Sequence, residues 1–136
     1  MDIYLQLMRD EGVKHKMYKD SLGIETIGVG HNLRAKAISQ RAVEVILEDD
    51  IADAKQELFA ALPWVKDLSE PRQGVLINMA FNLGIQGLLG FKNTLKAIQE
   101  GRWEDAKKGI LDSKYAKQVG PRAHRLALQL VTDRWV

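Results

Sequence analysis

Between Ser39 and Pro63 the chain carries one unbroken helical pattern. Leu47, Ile51, Ala54, Leu58 and Leu62 fall on a single stripe, while Glu44, Glu48, Asp49 and Asp53 mostly face elsewhere. Ser39 has the side chain of an N-cap, and Pro63 stops the run because it has no amide to donate to the preceding turn. A helix over residues 40–62 measures about 33 Å, which is longer than the usual globular helix and suited to joining two lobes.

The segments on either side differ in texture. Residues 3–11 place Ile3 with Leu7 and Tyr4 with Met8 at helical spacing and end at Gly12, a natural left-handed stop. From Lys14 to His31 the pattern becomes strand-like. His15–Tyr18 and Glu25–Val29 flank the turn formers Asp20-Ser21-Leu22-Gly23, which predicts a β-hairpin or small antiparallel sheet. Ser69-Glu70-Pro71 opens a segment, Val75 to Phe81, that is apolar almost all round and reads as a central buried helix. Residues 92–100, 102–112 and 121–133 each read as short amphipathic helices. The expected architecture is α+β and predominantly helical: a small N-terminal β lobe joined by a long helix to a helical C-terminal lobe. Its 136 residues form one domain, with a small lobe of about 12–60 and a helical lobe of about 61–136 that also takes the N-terminal helix 1–11.

Composition narrows the function classes. With 46% apolar and 28% charged residues the chain is an ordinary globular one. It has no cysteine, which removes disulfides, thiolate metal sites and a cysteine nucleophile. Its three scattered histidines give no ligand spacing, so no metal and no cofactor are expected. Gly28 and Gly30 make a G-x-G without the G-x-x-G continuation or following helix of a phosphate cradle, so close approach of backbone to a ligand is the better reading. No segment approaches the roughly 18 apolar residues of a membrane span, and the N-terminus has no basic-then-apolar leader. Net charge is +2, but the last 36 residues hold eight Lys/Arg against four Asp/Glu, a local excess that suits any polyanion.

Glu11 and Asp20 are the residues with the most chemical promise. Glycoside hydrolysis needs one carboxylic acid to protonate the leaving oxygen and a second carboxylate to activate water or attack. Glu11 ends a helix, where the macrodipole disfavours negative charge, whereas Asp20 sits in a turn where ionisation is cheap. On spacing alone, a Glu beside a helix-ending Gly and an Asp in a turn are also routine surface features.

The segment Glu11-Gly12, Tyr18-Lys19-Asp20 and Thr26-Ile27-Gly28-Val29-Gly30-His31 resembles the catalytic region of T-even bacteriophage lysozymes. The likeness continues through Asn78-Met79-Ala80-Phe81, Gly90-Phe91-Lys92-Asn93, Gly101–Ala106 and Arg122-Ala123-His124-Arg125, nearly the whole chain. The resemblance implies that Glu11 is the general acid, that Asp20 and Thr26 hold and activate the attacking water, and that the mechanism inverts. It also implies that Arg122 contacts the general acid, and that His31 with Asp50 and Asp10 with Arg125 form structural pairs. Gly30, Asn32, Phe81 and Asn93 are the expected substrate contacts, with a core position as the other reading of Phe81 and a satisfied buried polar role for Asn78. Between His31 and Ser39 the chain is about twenty residues shorter than the T-even pattern. Asn32 stands where the family has an apolar cleft residue, and Tyr115 where it has a tryptophan.

The expected partner is therefore bacterial peptidoglycan, met by a monomer with no nucleic acid and no stable membrane insertion. It is made in the host cytoplasm and acts on the wall after release through the inner membrane. A non-catalytic glycan-binding module would not need Glu11, Asp20 and Thr26 together. A lytic transglycosylase would leave an anhydro product, and a nucleic-acid binder would need little beyond the basic C-terminal segment.

Overall fold

The computed structural model describes residues 2–136. They divide into two units, one running to Val45 and the other over Ile46–Val136.

The first unit opens with α1 (Ile3–Glu11), capped by Asp2, whose carboxylate accepts the Leu5 amide at 3.0 Å. Gly12, at φ 78°, turns the chain out of the helix while its amide still reaches the Met8 carbonyl at 2.9 Å. Three antiparallel strands follow, β1 (Lys14–Lys19), β2 (Glu25–Gly28) and β3 (His31–Asn32), in the order β1-β2-β3. Tyr18 pairs with Thr26 and Lys19 with Glu25 on one side of β2; Thr26 pairs with Asn32 and Ile27 with His31 on the other. The pairing of β1 is irregular between Lys14 and Tyr18. Thr26, at the centre of the middle strand, is the one buried residue among those described in this unit. The expected hairpin is thus present, with a third strand of two residues that is too short to show a period of two in sequence.

The long helix α2 (Gln40–Ala61) begins at Ser39, whose hydroxyl accepts the Ala42 amide at 3.1 Å, and belongs to both units. Its stripe is only partly used for packing. Leu58 is fully buried, Ile51, Ala54 and Leu62 are half-buried, and Leu47 is exposed.

The second unit continues through a 3₁₀ turn (Pro63–Asp67), α3 (Glu70–Leu89), α4 (Lys92–Gln99), α5 (Trp103–Leu111), α6 (Lys114–Val119) and α7 (Pro121–Thr132). Leu58, Val65, Val75, Leu76, Met79, Leu88, Ile98, Ile110 and Leu130 are fully buried and fill its core. Ser69 caps α3, with Pro71 in the first turn, and Gly84 at φ 75° and ψ 161° breaks the helix. α3 is less enclosed than its composition predicts: Val75, Leu76, Met79 and Ala80 are buried, but Phe81 is 47% exposed. The separate helix α6 was not visible in the apolar pattern. It is set by the Ser113 cap, which accepts the Ala116 amide at 3.2 Å, and by burial of Tyr115.

Arg72 clamps α3 to the end of α7. Its Nε donates to the Leu130 carbonyl at 2.9 Å, its guanidinium stacks 3.7 Å above the Trp103 ring, and Asp133 lies 3.6 Å away. Asp133 also accepts from the Ser69 hydroxyl, and Gln129 donates to the Pro71 carbonyl at 2.7 Å. Trp135 lies against Gly74 so closely that a Cβ there would fall 2.5 Å from the indole ring.

Candidate active site

Glu11 closes α1, and its side chain lies over the glycine turn between β2 and β3. A Cβ on Gly30, which sits at φ 66°, would come within 3.1 Å of Glu11 Oε2. Glycine at position 30 therefore supplies both the left-handed backbone and the space for the carboxyl.

Asp20 and Thr26 are tied to the same residue, Ile24. The Asp20 Oδ1 accepts the Leu22 amide at 2.8 Å and the Ile24 amide at 2.9 Å, closing the β1–β2 turn in the manner of an Asx-turn. The Asp20 amide donates to the Ile24 carbonyl at 3.0 Å, and the Thr26 hydroxyl donates to that same carbonyl at 2.8 Å. Thr26 is only 4% exposed. With its proton committed to the Ile24 carbonyl, the Thr26 oxygen is left as an acceptor. Ile24 itself was not singled out from sequence, because its contribution is entirely backbone.

Beside this group Glu25 pairs with Arg34 at 2.8 Å. Its own backbone N–H, and then the Arg34 guanidinium, hold the Glu25 carboxyl below the usual carboxylate range. Asn32 spends its side-chain oxygen on the following turn, accepting the Arg34 amide at 3.0 Å and the Ala35 amide at 2.9 Å. That leaves its amide nitrogen for any ligand.

The pairings implied by the resemblance each take one residue from either unit. Within its own unit Asp10 accepts from Arg9 Nε at 2.8 Å, and His31 Nε2 lies 3.2 Å from the Lys36 carbonyl. Asp50 and Arg125 are exposed on α2 and α7. Arg122 donates from Nε and Nη2 to Asn78 Oδ1 at 2.9 and 2.7 Å, satisfying the polar residue expected in α3. Tyr115, edge-on to Phe91 at 6.1 Å, buries a hydroxyl that has no hydrogen-bond partner among the described residues. Burial raises its pKa, with Arg122 acting in the opposite direction.

Arg122 and Asn78 line a cavity of about 580 Å³ within the second unit, with Leu47, Ile51, Ile77, Phe81 and Trp135 as its apolar walls. Phe81 is therefore a cavity wall and not a core side chain, while Asn93 is exposed in the first turn of α4. Among the described residues no group of three His, Cys, Asp or Glu side chains converges as a metal site would require.

The family of phage lysozymes matches residues 8–129. The chain is 30% identical over 149 residues to probable T4-type lysozyme 1 of Dictyostelium discoideum, with 88% of each protein covered. It is 28% identical over 160 residues to the pre-baseplate central spike protein Gp5 of Enterobacteria phage T4; that match takes in 97% of this chain but only 28% of the spike protein. It is also similar to the endolysin of Salmonella phage P22, at 31% identity over 94 residues and 62% of each chain. The arrangement of Glu11, Asp20 and Thr26 on one small sheet unit thus occurs in a chain that belongs to the phage lysozyme family.

Proposed function

We propose that this chain is a peptidoglycan hydrolase. It cleaves the β-1,4 bond between N-acetylmuramic acid and N-acetylglucosamine with inversion, using Glu11 as general acid and Asp20 with Thr26 to hold the attacking water. Membership of the phage lysozyme family, and similarity to relatives named lysozyme and endolysin, support the reaction class.

The observation that carries the assignment of roles is the polarity of the hydrogen bonds at Ile24. Because the Thr26 proton is spent on the Ile24 carbonyl, Thr26 offers water only lone pairs. Asp20 has Oδ1 occupied by two amides, which leaves Oδ2 as its acceptor. A water between two acceptors turns both protons toward the protein and keeps a lone pair for the anomeric carbon. As the water oxygen bonds to that carbon on the face opposite the leaving group, Asp20 takes a proton and Glu11 gives one to the departing glycosidic oxygen. Both carboxyl groups end with their protonation states exchanged, and solvent resets them.

The same reading treats residues 1–136 as one lysozyme domain acting as a monomer. It is made in the host cytoplasm and reaches the wall after release through the inner membrane. No single helix among the described residues is long and apolar enough to cross a membrane.

Digestion of purified peptidoglycan with mass analysis and anomer-resolved detection tests the reaction. Reducing-end products of inverted configuration are expected; an anhydro product marks a lytic transglycosylase and overturns the proposal. Glu11→Gln removes the transferable proton with little change of shape, and clearing of a wall suspension falls by about 100-fold or more while the circular dichroism spectrum persists. Undiminished clearing overturns the acid assignment.

A further inference from the structure

Across the three-stranded sheet runs a row of side chains of which the proposed chemistry uses only the middle one. Tyr18 on β1, Thr26 on β2 and Asn32 on β3 are direct cross-strand partners, so their side chains stand on one face of the sheet. Thr26 is 4% exposed, and it is the one buried residue among those described in its unit. Its immediate neighbours on that face are the other two members of the row. Asn32 is held toward the following turn, where its side-chain oxygen accepts the Arg34 and Ala35 amides at 3.0 and 2.9 Å. Tyr18 is the larger neighbour, and alone in β1 it is half-buried: Lys14, His15, Lys16, Met17 and Lys19 are exposed. The Thr26 hydroxyl leans to the Tyr18 side, because the Ile24 carbonyl to which it donates also accepts the amide of Asp20, the residue that follows β1. Charged side chains on an edge strand discourage unwanted pairing, and the lysines of β1 meet that need without Tyr18.

We propose that Tyr18 is a positioning residue of the hydrolase: its ring walls the β1 side of the Thr26 hydroxyl and reserves the free lone pairs of that oxygen for the attacking water. The inference rests on the hydrolase reading and adds to it a residue outside Glu11, Asp20 and Thr26. With its proton committed to Ile24, the Thr26 oxygen accepts from whichever water reaches it. At 4% exposure the opening to it is narrow, so a single water can be held in one orientation. Without the ring the opening widens, several waters compete for the same lone pairs, and the one aligned for attack is held for less of the time. The wall acts on the water and not on the saccharide, so its loss falls on kcat and leaves KM in place. The ring supplies this effect; the phenolic hydroxyl is not needed for it.

Steady-state cleavage of soluble, uncross-linked peptidoglycan chains tests the role. Tyr18→Ala is expected to lower kcat by about 30-fold, with KM within about threefold of the parent. Tyr18→Phe keeps the ring and loses the hydroxyl, and it is expected to recover about tenfold or more of that loss. Circular dichroism and thermal melting check that each variant is folded at the assay temperature. If Tyr18→Ala is not, Tyr18→Leu, which keeps apolar bulk without the plane of the ring, is read in its place with an expected loss of about tenfold in kcat. A kcat within about twofold of the parent in the folded variant overturns the proposal. So does a loss confined to KM or to Tm, or a Tyr18→Phe no faster than Tyr18→Ala. The two readings fail distinguishably: a parent that releases no glycan fragment defeats the hydrolase assignment and the Tyr18 role with it, whereas equal turnover by parent and variant defeats the Tyr18 role alone.

Discussion

Ile24 organises the proposed site without contributing a reactive atom. Its amide and carbonyl hold Asp20 and Thr26 at once, so the reactive side chains inherit the precision of the sheet backbone. Gly30 plays the corresponding part for Glu11. Gly30→Ala forces a left-handed Cβ that costs about 1–2 kcal/mol and comes within 3.1 Å of Glu11 Oε2. Denaturant unfolding should register that loss, and wall clearing should fall by about 100-fold, since a displacement of about 1 Å is enough for such an effect. Full activity in Gly30→Ala would separate Glu11 from the chemistry. Glu11, Asp20 and Thr26 could all be named from sequence by resemblance, but Ile24 could not, because any residue with an amide and a carbonyl meets its role.

At the scale of elements, caps and breakers were the most readable features. Gly12 ends α1, Ser39 starts α2, and Ser69 with Pro71 starts α3, each where the residue type predicts. The two-residue β3 and the short α6 were missed because neither spans a full period of its own pattern. The first unit, with Thr26 as its one buried side chain among those described, has little apolar packing, and Glu25 pairs with Arg34 across its surface. A carboxyl held below its ordinary range in the folded state stabilises above its unfolded value, and the contribution is lost as pH falls through the folded value. Glu25→Gln should therefore lower Tm at neutral pH, with the deficit shrinking as pH drops from about 5 to about 3. A deficit of the same size at both ends of that range would show that the Glu25 charge, held by its backbone N–H and by Arg34, does not contribute to stability.

For the whole molecule, the second unit is closed by its own tail. Arg72 and Gln129 join α3 to α7 across 58 residues of chain, and Trp135 then lies on Gly74 as a wall of the cavity. Gly74→Ala puts a methyl group 2.5 Å from the indole and must push Trp135 away. The expected cost is about 1–3 kcal/mol, with a shifted Trp135 indole resonance. An unchanged resonance and Tm would mean that the tail does not rest on α3.

Local residue patterns dictate α1 to α5, α7 and the β1–β2 hairpin with their caps and turns, leaving out β3 and α6. Each of these depends on residues within one or two turns of one another. Tertiary structure alone decided that Phe81 walls a cavity, that Arg122 is spent on Asn78 from 44 residues away, and that the Thr26 proton is committed. Those outcomes depend on which distant groups meet, and local pattern carries no record of hydrogen-bond partners that loop closure brings together.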